Sequence, residues 1–284
     1  MKKYRKILVA YDGSDSARIA LTHSIELAKF NKSWIKLLAV VPGFEGDVEL
    51  SAIDDIKTVI RGPVEEMLSE AAGKVESSGV PVLFNVEQGS AFSEIVEVAR
   101  DESCDLIVIG RKGHHRIEKM LMGSVTAMVL ATSPLDVIVV PDNEIHGMHT
   151  ALYVIDESSS SDSMRMVMNN AKEGGDDLHG ISIVNIYPEF YAEAPVFVEK
   201  LEKKAVQQIE NFKDMARECK IEVVTHLRKG EPHDEIANCA REINAGIIVI
   251  NRSNKNSLIK MVSGDITSKV VGYAPCPVLV LSVN

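Results

Sequence analysis

Gly89-Ser-Ala-Phe-Ser-Glu-Ile-Val-Glu-Val-Ala-Arg-Asp-Glu102 returns 141 residues later as Gly230-Glu-Pro-His-Asp-Glu-Ile-Ala-Asn-Cys-Ala-Arg-Glu-Ile243. Glycine, Glu94/Glu235, Ile95/Ile236, Ala99/Ala240 and Arg100/Arg241 coincide. The same offset lays Leu106-Ile-Val-Ile on Ile247-Ile-Val-Ile, Gly123 on Gly264, Thr126 on Thr267, Pro134 on Pro275, and Val137-Ile-Val-Val on Val278-Leu-Val-Leu. Nearer the start of each copy the offset becomes 144 and sets Asp12 on Asp156. A constant offset held over so many positions marks a duplication. The two copies meet near Pro141 to His149, giving expected domains of 1–143 and 148–284.

Within each copy, short apolar runs alternate with longer segments of helical period, the pattern of a parallel sheet covered by helices. The runs at 106–109 and 137–140 lack strict alternation, as strands buried on both faces do. The reading predicts strands at 6–11, 34–41, 81–87, 105–110 and 136–141, with helices near 14–30, 52–79, 91–102 and 124–132. Pro63 suits a first helical turn, so the second of these helices is predicted to break near Gly62. Copy two is predicted to have strands near 149–155, 181–187, 221–228, 246–251 and 277–283, and helices near 161–174, 195–219, 232–244 and 265–274. The serines 158–161 fall in its first strand-to-helix turn and read as a cap, not a linker. The fold class is therefore α/β: two tandem, five-stranded, Rossmann-like parallel-sheet domains.

Composition bounds the function. The 284 residues are 45% hydrophobic and 25% charged, enough apolar material for sizeable cores. A net charge of −10 argues against nucleic acid or an anionic membrane as a partner. Apolar stretches are too short for a membrane span, and Ile7 to Ala10 is too short for a signal-peptide core. Cys104, Cys219, Cys239 and Cys276 form no CxxC pair or zinc spacing, so no metal is expected and reduced, buried thiols in a cytoplasmic setting are. No P-loop, nucleophile elbow or paired-carboxylate spacing is present.

The stretch that carries chemistry is Ile109-Gly110-Arg-Lys-Gly113-His-His-Arg-Ile-Glu-Lys-Met-Leu-Met-Gly123-Ser124-Val125-Thr126. It leaves a buried strand and opens a helix, the edge where open parallel sheets bind ligands. Gly110 and Gly113 let backbone N–H groups approach an anion, and the helix start at Gly123 and Ser124 aims further amides and a dipole at it. Ser124 and Thr126 can add hydroxyl donors. A plainer reading stands beside this one for each flanking residue. Asp12-Gly13-Ser14 can be a turn and cap, Arg111, Lys112 and Arg116 solvated charges, His114 and His115 exposed loop residues, and Met120, Met122 and Met128 packing.

The pattern G-x2-G-x9-G-[ST] resembles the nucleotide loop of the universal stress protein family, in its ATP-binding branch, and the resemblance covers the whole chain twice. It implies that Asp12 bonds the ribose or base edge, that Ala10 and Val40 offer backbone contacts around adenine, and that Gly110, Lys112, Gly113, Gly123, Ser124, Val125 and Thr126 hold ribose and phosphates. It implies ATP, ADP or AMP as the cofactor and leaves room for Mg2+. It implies a stress-response regulator with an unidentified protein partner and a likeness to homo-oligomers, dimers above all. The two domains are expected to form a pseudo-dimer through antiparallel contact of 137–141 with 278–282. No catalytic residue is assigned. The alternatives are a slow ATPase or phosphotransferase using Ser124 or a loop histidine, and an interaction module whose nucleotide is structural.

Copy two reads Asn251-Arg-Ser-Asn254 and Gly264-Asp265-Ile266-Thr267 at the matching positions. Side chains replace the two leading glycines, and Asp265 sets a carboxylate where an anion would lie. Copy two is expected not to bind ATP, while Asp156 leaves a neutral or cationic ligand open.

Overall fold

The computed structural model describes residues 4–43, 50–113, 122–142, 149–186, 195–252 and 266–282. Contacts divide the chain into two compact units, Lys3–Asp142 and Asn143–Asn284, the latter together with Met1–Lys2. Each is a five-stranded, all-parallel sheet with helices between its strands.

The first unit runs β1 (Lys6–Ala10), α1 (Asp15–Asn31), β2 (Trp34–Val41), α2 (Leu50–Ser77), β3 (Val82–Gln88), α3 (Ala91–Asp101), β4 (Leu106–Gly110), α4 (Ser124–Thr132) and β5 (Asp136–Val140). Its strands lie in the order β3-β2-β1-β4-β5. The chain thus walks outward from β1 to β3, then returns to the other side of β1 for β4. That reversal opens a crevice between the carboxyl ends of β1 and β4, where Val9 pairs with Val108. Ile7, Leu8, Val9, Leu37, Leu106, Ile107 and Val108 are completely buried, because helices cover both faces of the sheet. Burial of this kind is the main favourable contribution to the fold, at about 1.5–3 kcal/mol per large aliphatic side chain.

A lysine enters this core. The Lys36 side chain, in the middle of β2, is 4% exposed and meets Glu102 at 2.6 Å, while Lys6 meets the same carboxylate at 2.9 Å. These hydrogen bonds hold the Glu102 carboxyl below its ordinary range against the opposing effect of burial. Lys6 also lies over the Trp34 ring.

The second unit runs β6 (Thr150–Val154), α5 (Ser161–Gly174), β7 (Asp177–Val184), α6 (Pro195–Cys219), β8 (Val223–Lys229), α7 (Pro232–Glu242), β9 (Ile247–Asn251), α8 (Ile266–Tyr273) and β10 (Val278–Leu281). Its order, β10-β9-β6-β7-β8, repeats the reversal, now between β6 and β9. The serine run caps α5 as expected. Ser160 accepts from the Ser163 N–H and the Ser163 hydroxyl accepts from the Ser160 N–H, a reciprocal box.

Two expectations need correction. No break occurs near Gly62: α2 is one 28-residue helix with Pro63 inside it. The residue before the proline is a glycine, which has no Cβ for the pyrrolidine ring to strike. What remains is one missing hydrogen bond in a long helix. The second difference is β7, which starts at Asp177, four residues before the sequence predicts. The sequence reading leaves Asp177, His179 and Gly180 ahead of the strand. In the structure Gly180 lies under Phe212 of α6, whose ring carbons would come within 2.7 Å of a Cβ, so close helix packing selects glycine inside a strand.

All four cysteines are free, and Cys104, Cys239 and Cys276 are buried. Burial pushes the Cys104 thiol up to about 11 and that of Cys276 up to about 12, so both are unreactive neutral thiols at physiological pH.

Candidate functional site

The site is built where β1 and β4 end. After β1, the Tyr11 N–H bonds to the Leu38 carbonyl at 2.8 Å, which keeps the chain on the sheet for one more residue before it turns. Asp12 then accepts the Ser14 N–H at 3.0 Å, and Gly13 takes φ +79° to close the turn. Ser14 caps α1 by accepting the Ala17 N–H at 3.2 Å. The turn-and-cap reading of Asp12-Gly13-Ser14 is therefore real, and the Asp12 side chain stays exposed at the crevice.

Opposite it, the loop after β4 is pinned at several points. The Arg111 N–H bonds to the Val140 carbonyl at 2.7 Å, and the Arg111 guanidinium bonds to Asp142. Burial opposes ionisation of Asp142, but the Arg111 hydrogen bond, a backbone bond and the charges of Arg111 and Lys112 outweigh it and hold the carboxyl below its usual range. The Ser16 hydroxyl, from the first turn of α1, donates to the Lys112 carbonyl. The Gly123 N–H closes the far side of the loop by donating to the Arg111 carbonyl at 2.8 Å. Residues 114–121, including His114, His115, Arg116 and Met120, lie outside the described residues.

Two glycines are explained by these contacts. A Cβ on Gly110 would fall 2.9 Å from the Ser16 backbone carbonyl carbon, so α1 can pack against this strand end only if residue 110 has no side chain. A Cβ on Gly113 would fall 2.6 Å from Asp12 Oδ2, with the next atom, Asp12 Cγ, at 3.8 Å. Gly113 thus brings the loop backbone directly against the Asp12 carboxylate. From Gly123, a Cβ would point toward Arg111–Gly113 at 3.5–3.8 Å, so the start of α4 faces the same small volume.

The structure gathers Asp12, Lys112, Gly113, Gly123 and Ser124 around one point at the carboxyl edge. Ser124 is exposed at the first residue of α4 and Val125 is half-buried beside it. Ala10 and Val40 stand at the ends of β1 and β2, Val40 two residues beyond Leu38, the partner of Ala10. Thr126 serves differently from the hydroxyl donor foreseen: it is 3% exposed and its hydroxyl donates inward to the Gly110 carbonyl at 2.9 Å, leaving only its backbone N–H for a ligand. Ser16 was missed. Its spacing in Asp-Gly-Ser-x-Ser reads as a cap, and its bond to residue 112 spans 96 positions that no local pattern connects.

At the equivalent place in the second unit, Asn251 stands where the first has Gly110. It is 5% exposed, and its amide donates to the Tyr153 hydroxyl at 2.7 Å and toward Ser159 at 3.3 Å. Asn254, Gly264 and Asp265 lie outside the described residues.

Among the described residues, no group of three or more His, Cys, Asp or Glu side chains could hold a metal, and no helix is long and apolar enough to cross a membrane.

Comparison with known proteins agrees with this architecture. The universal stress protein E homolog of Haemophilus influenzae is 20% identical across 98% of this chain and 97% of its own length. A universal stress protein of Methanocaldococcus jannaschii is 31% identical over 48% of this chain and 82% of its own. The crystal structure of a universal stress protein from Archaeoglobus fulgidus superposes with a TM-score of 0.70, at 24% identity, covering 98% of this chain and 96% of that one. The family model described as the universal stress protein family matches twice, over residues 3–141 and 148–282. The chain is a tandem member of the universal stress protein family.

Proposed function

We propose that the first unit binds an adenine nucleotide at the crevice between β1 and β4, with ATP as its main ligand, and that the chain acts as a nucleotide-dependent stress-response regulator without efficient catalysis. The observation that carries this reading is the approach of Gly113 to Asp12, which sets a carboxylate and a row of loop and helix-start amides around one volume. A carboxylate suits ribose hydroxyls or a base amine, and the N–H groups at the start of α4 suit phosphate oxygens. The residues fit such a ligand: Gly113 leaves open the space a Cβ would take, and Lys112 and the α4 terminus supply positive potential. Asp12, Ala10 and Val40 would take the nucleoside. Gly110, Lys112, Gly113, Gly123, Ser124, Val125 and Thr126 would form the phosphate side, Gly110 and Thr126 by shaping the loop. Mg2+, if it accompanies the nucleotide, would bind phosphate oxygens. The second unit, with Asn251 in place of the first loop glycine and Asp265 at the position of Ser124, would not bind ATP.

The test is to purify the protein, release bound small molecules with acid and quantify adenine nucleotide per chain, beside a Gly113→Ala, Ser124→Asp variant. Close to one nucleotide per chain, lost in the variant, is expected, with turnover too slow to deplete it. Two per chain would refute the assignment of the second unit, and none after ATP addition would refute nucleotide binding.

A further inference from the structure

The second unit keeps a cleft of its own. Between the turn after β6 and the exposed side of α6 lies a cavity of about 380 Å³. Its apolar wall is Ile155 and Met164, and its polar lining includes Asp156, Ser159, Gln208 and Asn211. The volume falls in the range of small-molecule sites, and the place is the carboxyl edge beside the strand-order reversal.

The lining is unevenly satisfied. The Asp156 carboxylate accepts at Oδ1 from the Ser158 N–H at 2.8 Å, the Ser158 hydroxyl at 2.5 Å and the Ser159 hydroxyl at 3.5 Å, and it is bonded as well by the Ser159 N–H. Desolvation raises the Asp156 carboxyl above its ordinary range, and the serine hydrogen bonds counter it only in part. Gln208 accepts from the Ser182 hydroxyl at 3.4 Å and Asn211 accepts from the Gln207 amide at 3.0 Å, so both present their N–H2 groups as donors. The cleft's one lysine, Lys204, is committed to Glu157 at 2.6 Å. Two carboxylates against one ammonium leave the lining with a net charge of −1.

We propose that this cleft binds a small, phosphate-free molecule carrying a protonated amine, held by the Asp156 carboxylate, with hydroxyl or carbonyl groups accepting from Gln208 and Asn211. A phosphate is disfavoured twice. The lining is negative, and Asn251, standing where the first unit has Gly110, spends its amide inside the fold on Tyr153 and Ser159 and offers it to no ligand. This site is separate from the nucleotide site proposed for the first unit and does not depend on it.

The experiment is a residue-resolved NMR titration of the full-length protein with glucosamine, glucose and glucosamine 6-phosphate as probes. Glucosamine is expected to move the signals of Asp156, Gln208 and Asn211 saturably, with a midpoint on the order of 1 mM for so small a probe. Glucose should bind at least fivefold more weakly, and the phosphate ester should produce no saturable shift. Asp156→Asn preserves acceptance at Oδ1 but removes the charge, and should weaken glucosamine by about tenfold or more. Gln208→Ala, at a half-buried position of α6, should weaken it several-fold and serves if the first variant does not fold, which the remaining spectrum reports. Absence of saturable shifts, equal binding of glucose or the phosphate ester, or undiminished binding by either folded variant would overturn the proposal.

Discussion

Replacing Gly113 with alanine tests the site most sharply, because the structure separates its effect on binding from its effect on folding. The new Cβ would lie 2.6 Å from Asp12 Oδ2, and the next neighbour, Asp12 Cγ, is already at 3.8 Å. Only the carboxylate must give way, and rotation about its own side-chain bonds is enough to do so. Stability should then change by no more than about 0.5 kcal/mol, as for ordinary surface substitutions. The moved carboxylate is nevertheless the group proposed to hold the nucleoside. A hydrogen bond to a charged partner contributes about 1.5–3 kcal/mol, so losing it should weaken adenine nucleotide by roughly 10- to 150-fold. Gly110→Ala is the contrasting control. Its Cβ would press to 2.9 Å from a backbone carbon of α1, which cannot rotate away. Overpacking of that kind costs about 1–3 kcal/mol and should lower the melting temperature of a unit of this size by roughly 3–10 °C. Calorimetric titration of nucleotide-free protein with ATP, together with thermal unfolding of both variants, provides the comparison. Nucleotide affinity within twofold of the parent for Gly113→Ala would refute the role of Asp12. Loss of stability as large as that of Gly110→Ala would show that the approach of Gly113 to Asp12 is packing alone.

Glu102→Gln should destabilise the first unit by about 2–3 kcal/mol, because it leaves the buried Lys36 ammonium without a counter-ion. The Glu102 carboxyl is held low in the folded state, so its contribution is complete above the ordinary value of about 4.3 and is lost as pH falls through the lowered one. The gap in urea midpoints between parent and variant should therefore close between neutral pH and about pH 3. His179 and His226 share a 2.9 Å ring-nitrogen contact on neighbouring strands β7 and β8, and burial holds both below the ordinary histidine value. The unfolded chain takes up these protons first, so stability should fall as pH drops below about 6.5, and His226→Gln should flatten that fall in melting curves taken from pH 7.5 to 5. Asn251→Gly should cost about 1–3 kcal/mol through two lost amide hydrogen bonds and should create no ATP affinity in the second unit, as read by unfolding and by nucleotide titration.

Much of this was legible in the sequence, for definite physical reasons. Strands buried on both faces must be apolar at every position, so Leu106–Ile109 and Val137–Val140 announce themselves without reference to any partner. Caps are local, and Ser160 with Ser163 lies within one turn. Sequence reading fails where the partner is far along the chain. Lys36 looks like the polar break of a half-exposed strand, and only the fold brings Glu102, 66 residues away, to neutralise it. Gly180 falls outside the strand read from the sequence, and only the packing of Phe212 above it accounts for a glycine within β7. The site divides in the same way. Its glycines stand out by spacing, whereas Ser16, which fixes the loop from beneath, is set by the packing of α1 against the end of β4.

The two units brace the equivalent strand ends, β4 and β9, in different ways. In the first, residue 110 is a glycine because α1 presses on it, and its carbonyl is tied down by Thr126 at 2.9 Å. The start of the loop beyond is held by the Ser16 hydroxyl on the Lys112 carbonyl and by the Arg111 guanidinium on Asp142. In the second, Asn251 puts a side chain at that position and aims it into the sheet. There the Tyr153 hydroxyl receives it, itself 2.9 Å from the Ser163 hydroxyl of α5. Tyr153 is fully buried and stacks on Phe212, with ring centroids 5.6 Å apart. This chain of contacts joins β9, β6, α5 and α6. It braces the end of β9, as the Ser16 and Thr126 hydroxyls brace the end of β4 in the first unit by donating to backbone carbonyls. Restoring glycine at 251 would remove the amide without moving Tyr153 or Phe212, so stability would fall and no anion cradle would form. Where the first unit has Gly110, the second has a buried polar network of Asn251, Tyr153, Ser159 and Ser163, and exchanging one of these residues leaves the others in place.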